Sequence, residues 1–190
     1  SHLHIFPGSV ELDSLHVNNI NGFQALSDSV REYAKTRMND PVIVANGANY
    51  TMIRDEGFIT RHDLDAIIAD RPFLLACFDH HTIWANTLAL EQAGILHGRA
   101  LPPGNEIVMG ADGLATGELR EGEAMSPVRA LQKGGNRDRI GLMTGGEPEP
   151  YPSTAEFEHD LDVLRQGLAH CARHGITSIH NMDGNFYLLQ

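Results

Sequence analysis

Ser1-His2-Leu3-His4-Ile5 opens the chain. Read as a strand, it carries His2 and His4 on one face, about 6–7 Å apart along the backbone. Leu3 and Ile5 then turn the other way, into a core. Two neutral imidazole nitrogens so placed can grip one divalent ion. The bland alternative is an exposed strand end or a remnant of expression at the terminus, since the chain holds 11 histidines and such pairs arise by chance. A second stretch, Ile176-Thr177-Ser178-Ile179-His180, also reads as a strand, and 171 residues separate it from His4. Connections between a strand and the next helix usually run to a few residues. If the two strands are parallel neighbours, an entire small domain is inserted between them. The fold class expected is therefore α/β.

Composition bounds the function. With 190 residues, 42% hydrophobic and 21% charged, the chain can bury one good core with room for a smaller appended lobe, as a soluble globular protein does. A net charge of −11 argues against a nucleic-acid partner or an anionic membrane surface. Cys77 and Cys171 each sit in an apolar run, which predicts buried reduced thiols and a reducing, cytoplasmic setting. No apolar run approaches a membrane span and no signal peptide is visible. The absence of an initial methionine reads as a piece of something longer.

Several elements are legible in order. Asn21 with Gln24 predicts a helix start, and Phe23, Leu26, Val30 and Tyr33 carry the apolar stripe to about Arg37. Before it, Phe6-Pro7-Gly8 predicts a break followed by a polar stretch. Pro41 to Ala45 and Phe73 to Phe78 read as buried strands, with a short helix from Thr60 between them. A helix carrying Trp84 and Leu88 is expected from Thr82, with Asp79 as its candidate cap. Glu106–Met109 and Leu114–Leu119 flank an Asp112-Gly113 turn and form a hairpin. A helix is expected from Glu121, and residues 132–152, rich in glycine and proline, read as a long loop able to act as a flap. Ser153 and Glu156 make a capping box for the helix of Phe157, Leu161, Leu164, Leu168 and Cys171, which ends at Gly175.

The ordered set of motifs is more specific than any member. His2-Leu3-His4, Pro72-Phe73-Leu74-Leu75, Asp79-His80-His81-Thr82-Ile83-Trp84-Ala85-Asn86 and Ala93-Gly94-Ile95 come first. Gly104-Asn105-Glu106-Ile107-Val108, Thr116-Gly117-Glu118-Leu119-Arg120-Glu121 and Gly175-Ile176-Thr177-Ser178-Ile179-His180 follow. Together they resemble the amino-terminal part of the YtcJ-like amidohydrolases, a group of the amidohydrolase superfamily related to N-substituted formamide deformylase. The resemblance implies a partial metal-dependent-hydrolase (β/α)8 barrel carrying a large inserted α/β domain. Residues 1–5 would be barrel strand 1 with the metal pair His2 and His4, and 6–131 the substrate-capping insertion. Residues 132–152 would be the loop, and 153–190 barrel helix 1 and strand 2. It also implies a divalent metal, zinc being the expected ion, with one or two ions in the full-length protein. The remaining ligands (a strand lysine, two histidines and an aspartate base) would lie beyond Gln190. The substrate class implied is a small-molecule amide or formamide.

Four residues are substrate-binding candidates. His81 occupies the place of a family histidine facing the substrate, with a capping or surface role as its alternative. Trp84 reads as core packing or as a substrate wall. Glu121 matches a family glutamate, against a solvated helix start. His180 ends a predicted parallel strand, where α/β folds keep their chemistry, with a satisfied core histidine as its alternative. The family commonly has aspartate after that histidine; this chain has Asn181, leaving Asp183 as a candidate substitute. His159, His170 and His174 fall on the exposed flank of the last helix and are given no role. Two hydrolytic ligands are fewer than the three a zinc site commonly needs, so no catalytic residue is assigned within the 190 residues and the isolated chain is expected to be inactive. The competing readings are a non-catalytic binding or regulatory module and a His-x-His metal-dependent phosphoesterase.

Overall fold

The computed structural model describes residues 2–53, 57–142 and 145–190, and the side chain of His2 lies outside what is described. The elements in chain order are β1 (His2–Leu3), α1 (Ile5–Glu11), β2 (Leu15–His16), α2 (Phe23–Thr36), β3 (Ile43–Ala48), α3 (Arg61–Ile67), β4 (Phe73–Cys77) and β5 (Thr82–Ala85). There follow α4 (Thr87–Gln92), β6 (Glu106–Met109), β7 (Ala115–Arg120), α5 (Gly122–Arg129), α6 (Arg137–Ile140), α7 (Thr154–Arg173), β8 (His180–Asn181) and a 3-10 turn at Tyr187–Leu189. They divide into two compact units, one of residues 1–13 with 134–190 and one of residues 14–133.

The 14–133 unit is built on a mixed open sheet of six strands in the order β2-β3-β4-β5-β7-β6. β2, β3 and β4 run parallel, and β4-β5-β7-β6 run antiparallel. Alternation along β4 explains why both faces are covered: Phe73, Leu75 and Cys77 point to one side, Leu74 and Ala76 to the other. The first side packs on Leu26, Val30 and Ala34 of α2 and Leu64 and Ile67 of α3. The second packs on Ala89 and Leu90 of α4 and Ala124, Met125 and Val128 of α5. A fully buried side chain such as Leu26 stabilises by about 1.5–3 kcal/mol.

In the other unit β1 and β8 pair in parallel, with His2 opposite His180 and Leu3 opposite Asn181. α1 and α7 pack at Gly167, where an added Cβ would collide with Ser9 Oγ. The Ser153–Glu156 capping box starts α7 as expected. Arg137 grips the buried Asp160 carboxylate through both Nε and Nη2, and the Tyr187 hydroxyl donates to the same group at 2.7 Å. Arg139 reaches Glu11 at 2.6 Å.

Several expectations are corrected. Phe6-Pro7-Gly8 is part of α1, because Pro7 sits in the first turn, where its missing N–H costs little. The strand expected at 176–180 is limited to His180–Asn181. Thr82–Ala85 is strand rather than helix: Thr82, Ile83 and Trp84 are β-formers returning from a tight turn, and the helix begins only after Asn86, whose side chain accepts from the Ala89 N–H. Asp79 therefore caps no helix. The start of α2 is made by Gly22, at φ +90°, without a side-chain cap from Asn21. Residues 132–152 contain α6 and its ion pairs, so this stretch is more than a loop. Cys77 is buried as expected, whereas Cys171 is half-buried; both are free thiols.

Candidate functional site

Two constellations stand out, each within its own unit. The first surrounds His4. Its backbone is extended (φ −110°, ψ 90°) and it occupies the cap position of α1. Its Nδ1 lies 2.8 Å from Asp183 Oδ1. An ionised carboxylate only accepts, so Nδ1 carries the proton and Nε2 is the ring nitrogen a metal ion would take. The His4 side chain is 40% exposed and that of Asp183 only 1%. Asp183 Oδ2 is buried and has no hydrogen-bond partner among the described residues. Asn181, one strand position after His180, accepts at Oδ1 from the Ile5 N–H at 3.1 Å. His180 is exposed and holds the register position opposite His2. Among the described residues no group of three His, Cys, Asp or Glu side chains converges into a metal cage.

The donor chemistry at this end of the chain fits a divalent metal. A histidine whose far nitrogen is held by a buried carboxylate is the usual support of a metal-binding imidazole. The buried negative charge of Asp183 is also easier to understand behind a ring whose far nitrogen takes a cation than in a closed core.

The second constellation crowns the carboxyl ends of β3 and β4. The β4–β5 turn places Asp79 so that its Oδ1 accepts from the His81 N–H at 3.0 Å. Asp79 Oδ2 accepts from the Tyr50 hydroxyl at 3.1 Å, and that hydroxyl also meets Thr82 Oγ1 at 2.9 Å. His81 Nδ1 faces both Glu121 carboxylate oxygens, at 3.1 and 3.2 Å, while the Glu121 N–H donates to the His81 carbonyl at 2.9 Å. His80 and Glu121 both adopt positive φ, 64° and 67°, a conformation that costs a side-chain-bearing residue about 1–2 kcal/mol. Strain of this kind gathers where a site must be held in one shape. Trp84 is 1% exposed, with Tyr50 standing edge-on to it at 5.3 Å between ring centres. The surface above Trp84 is thus carried by Tyr50.

Electrostatics follow from this packing. Burial pushes the Cys77 thiol and the Tyr50 hydroxyl up from their ordinary values. Burial alone would also raise Asp79. Hydrogen bonds from the His81 N–H, Cys77 and Tyr50 outweigh it and hold that carboxyl below its ordinary value.

His81 and Glu121, separate candidates by resemblance in the sequence, are brought together here. Tyr50 and Asp79 complete the group. The signal that could have found Tyr50 is its place just past a buried parallel strand, among Asn49 and Thr51.

The match to known proteins is consistent along the chain. A Bacillus subtilis (strain 168) protein, YtcJ, an amidohydrolase by name, is 29% identical over 187 residues, or 98% of this chain. The chain spans 31% of that relative's length. A crystal structure of an uncharacterized metal-dependent hydrolase from Pyrococcus horikoshii OT3 shares the fold at a TM-score of 0.50 and 18% identity, covering 95% of this chain and 34% of that one. The resemblance carried by the ordered motifs is upheld. The model of the amidohydrolase family matches residues 1–189, and the chain belongs to that family.

Proposed function

We propose that the complete protein hydrolyses a C–N bond of a small-molecule amide or formamide with the help of a divalent metal. His2 and His4 are the ligands this chain supplies, and zinc is the expected ion, with one or two bound in the full-length protein. The observation that carries the reading is the parallel β1–β8 pair, with His4 held by buried Asp183 beside it. When bound, the metal supplies a more acidic water and polarises the carbonyl. The chain's own residues do the rest: Asp183 and Asn181 hold the end of β1, one through the His4 ring and one through the Ile5 N–H.

The 14–133 unit is assigned the choice of substrate. His81, with Nδ1 on Glu121, offers its other ring nitrogen outward from a side chain 67% exposed. Glu121 completes the polar candidates of this unit, and Trp84 acts from beneath Tyr50; His180, in the other unit, is a separate substrate-binding candidate. A (β/α)8 barrel for the complete protein is part of the same proposal, as is the inactivity of the 190 residues alone, since two imidazoles fall short of a hydrolytic zinc site.

The experiment is metal analysis and hydrolysis of N-formyl and N-acyl amines by the longer protein. His4→Ala is expected to remove bound metal and activity together. Retention of full activity with no metal bound would end the proposal, and phosphate release from a generic ester without amide cleavage would favour a phosphoesterase instead.

A further inference from the structure

The end of β1 holds a feature that the ligand pair does not use. The Asp183 carboxylate is almost completely buried, yet only one of its oxygens has a partner among the described residues: Oδ1 meets His4 Nδ1 at 2.8 Å, and Oδ2 meets none. A buried carboxylate with an unsatisfied oxygen is costly to keep. An apolar side chain of similar size would pack there without that cost, so packing does not account for it.

The backbone around Asp183 is tied on both sides. The Met182 N–H donates to the Leu3 carbonyl at 2.9 Å, the Gly184 N–H to the Gly141 carbonyl at 2.7 Å, and the Gly145 N–H to the Gly184 carbonyl at 2.8 Å. Two residues earlier, Asn181 Oδ1 is occupied by the Ile5 N–H. The two side chains divide the work: Asn181 holds the backbone as it leaves β1, and Asp183 holds the ring.

Resting on the metal-site reading above, we propose that Asp183 is the positioning residue of His4. It fixes the ring in the Nδ1–H tautomer and directs Nε2, as the ligating nitrogen, toward a divalent cation. The partnerless Oδ2 belongs to the same role. It adds negative charge, one bond removed from the ligand, that strengthens the donor nitrogen. A side chain at 183 without an acceptor would leave the ring free to take the other tautomer, in which Nε2 carries the proton and cannot ligate, whereas a neutral amide would keep the acceptor and lose the charge.

The test uses the 190-residue chain with Co²⁺ alone as the probe. Long-range ¹H–¹⁵N correlation reports the His4 tautomer, and paramagnetic broadening of the Leu3, Ile5 and Asn181 amide signals, which every variant retains, reports cation uptake at this site even when it is weak. The unaltered chain is expected to show Nδ1–H. Asp183→Ala is expected to move the ring toward the Nε2–H form and to weaken Co²⁺ uptake by about a hundredfold, and the isosteric Asp183→Asn by about tenfold. Asp183→Asn decides the matter should the alanine variant fail to fold. If His4→Ala abolishes Co²⁺ uptake while both Asp183 variants keep the tautomer and the uptake, Asp183 is not the positioning residue and the metal site stands without it. If His4→Ala takes up Co²⁺ as the unaltered chain does, the metal site itself is wrong, and this proposal falls with it.

Discussion

Asp79 shows how one carboxylate can organise a turn. It accepts from the His81 N–H and the Tyr50 hydroxyl, and its carboxyl is held below the ordinary 3.8 although burial works the other way. A carboxyl depressed in the folded state adds stability that is complete above its unfolded value and drains away as pH falls through the lower folded value. Asp79→Asn is therefore expected to be less stable than the unaltered chain at pH 7, with the gap closing below about pH 4. Urea denaturation at a series of pH values measures it, and a gap independent of pH would show that the charge is irrelevant. His80 and Glu121 at positive φ flank this turn. Periodicity could single out neither Glu121 nor His81, because a residue in a turn or at positive φ leaves no periodic mark in a sequence.

Helix contacts are decided by what the backbones can approach. At Gly167 of α7 an added Cβ would strike the Ser9 hydroxyl and come within 2.8 Å of Ser9 Cβ. Gly167→Ala is expected to cost about 1–3 kcal/mol by overpacking α1 against α7. In a Ser9→Gly background, which removes both contacts, the same change should cost little in thermal melts; an undiminished cost there would place it elsewhere. In the other unit, Gly117 at φ +112° leaves no room for a Cβ, which would lie 2.6 Å from the Arg61 N–H and 2.9 Å from the Ala85 carbonyl. Among the elements, α7 was the plainest in the sequence because its capping box and its apolar spacing agree. β5 was misread because Trp84 and Leu88 stand four apart, a helical spacing that also falls across a strand, a cap and a helix start.

The two units each bury their own apolar side chains. Leu26→Ala, in the middle of the first core, is expected to cost about 2–5 kcal/mol. Hydrogen exchange by mass spectrometry should show the added exposure concentrated in residues 14–133, with the α1–α7 amides keeping their protection. Equal loss of protection in α7 would mean that the chain unfolds as one cooperative body. Among the described residues no helix is long and apolar enough to cross a membrane.

The α/β class, the Asp112-Gly113 hairpin, helices α2, α3 and α7 and the family itself were available from residue order, because periodicity, caps and turn residues act over a few positions and leave local traces. The reach of Asp183 to His4, the crossing of β7 between β5 and β6, and the union of Tyr50, Asp79, His81 and Glu121 were not. These contacts join residues tens to more than a hundred positions apart. They exist because sheet pairing brings distant strand ends together, and nothing in the neighbouring sequence records which partner a side chain will meet.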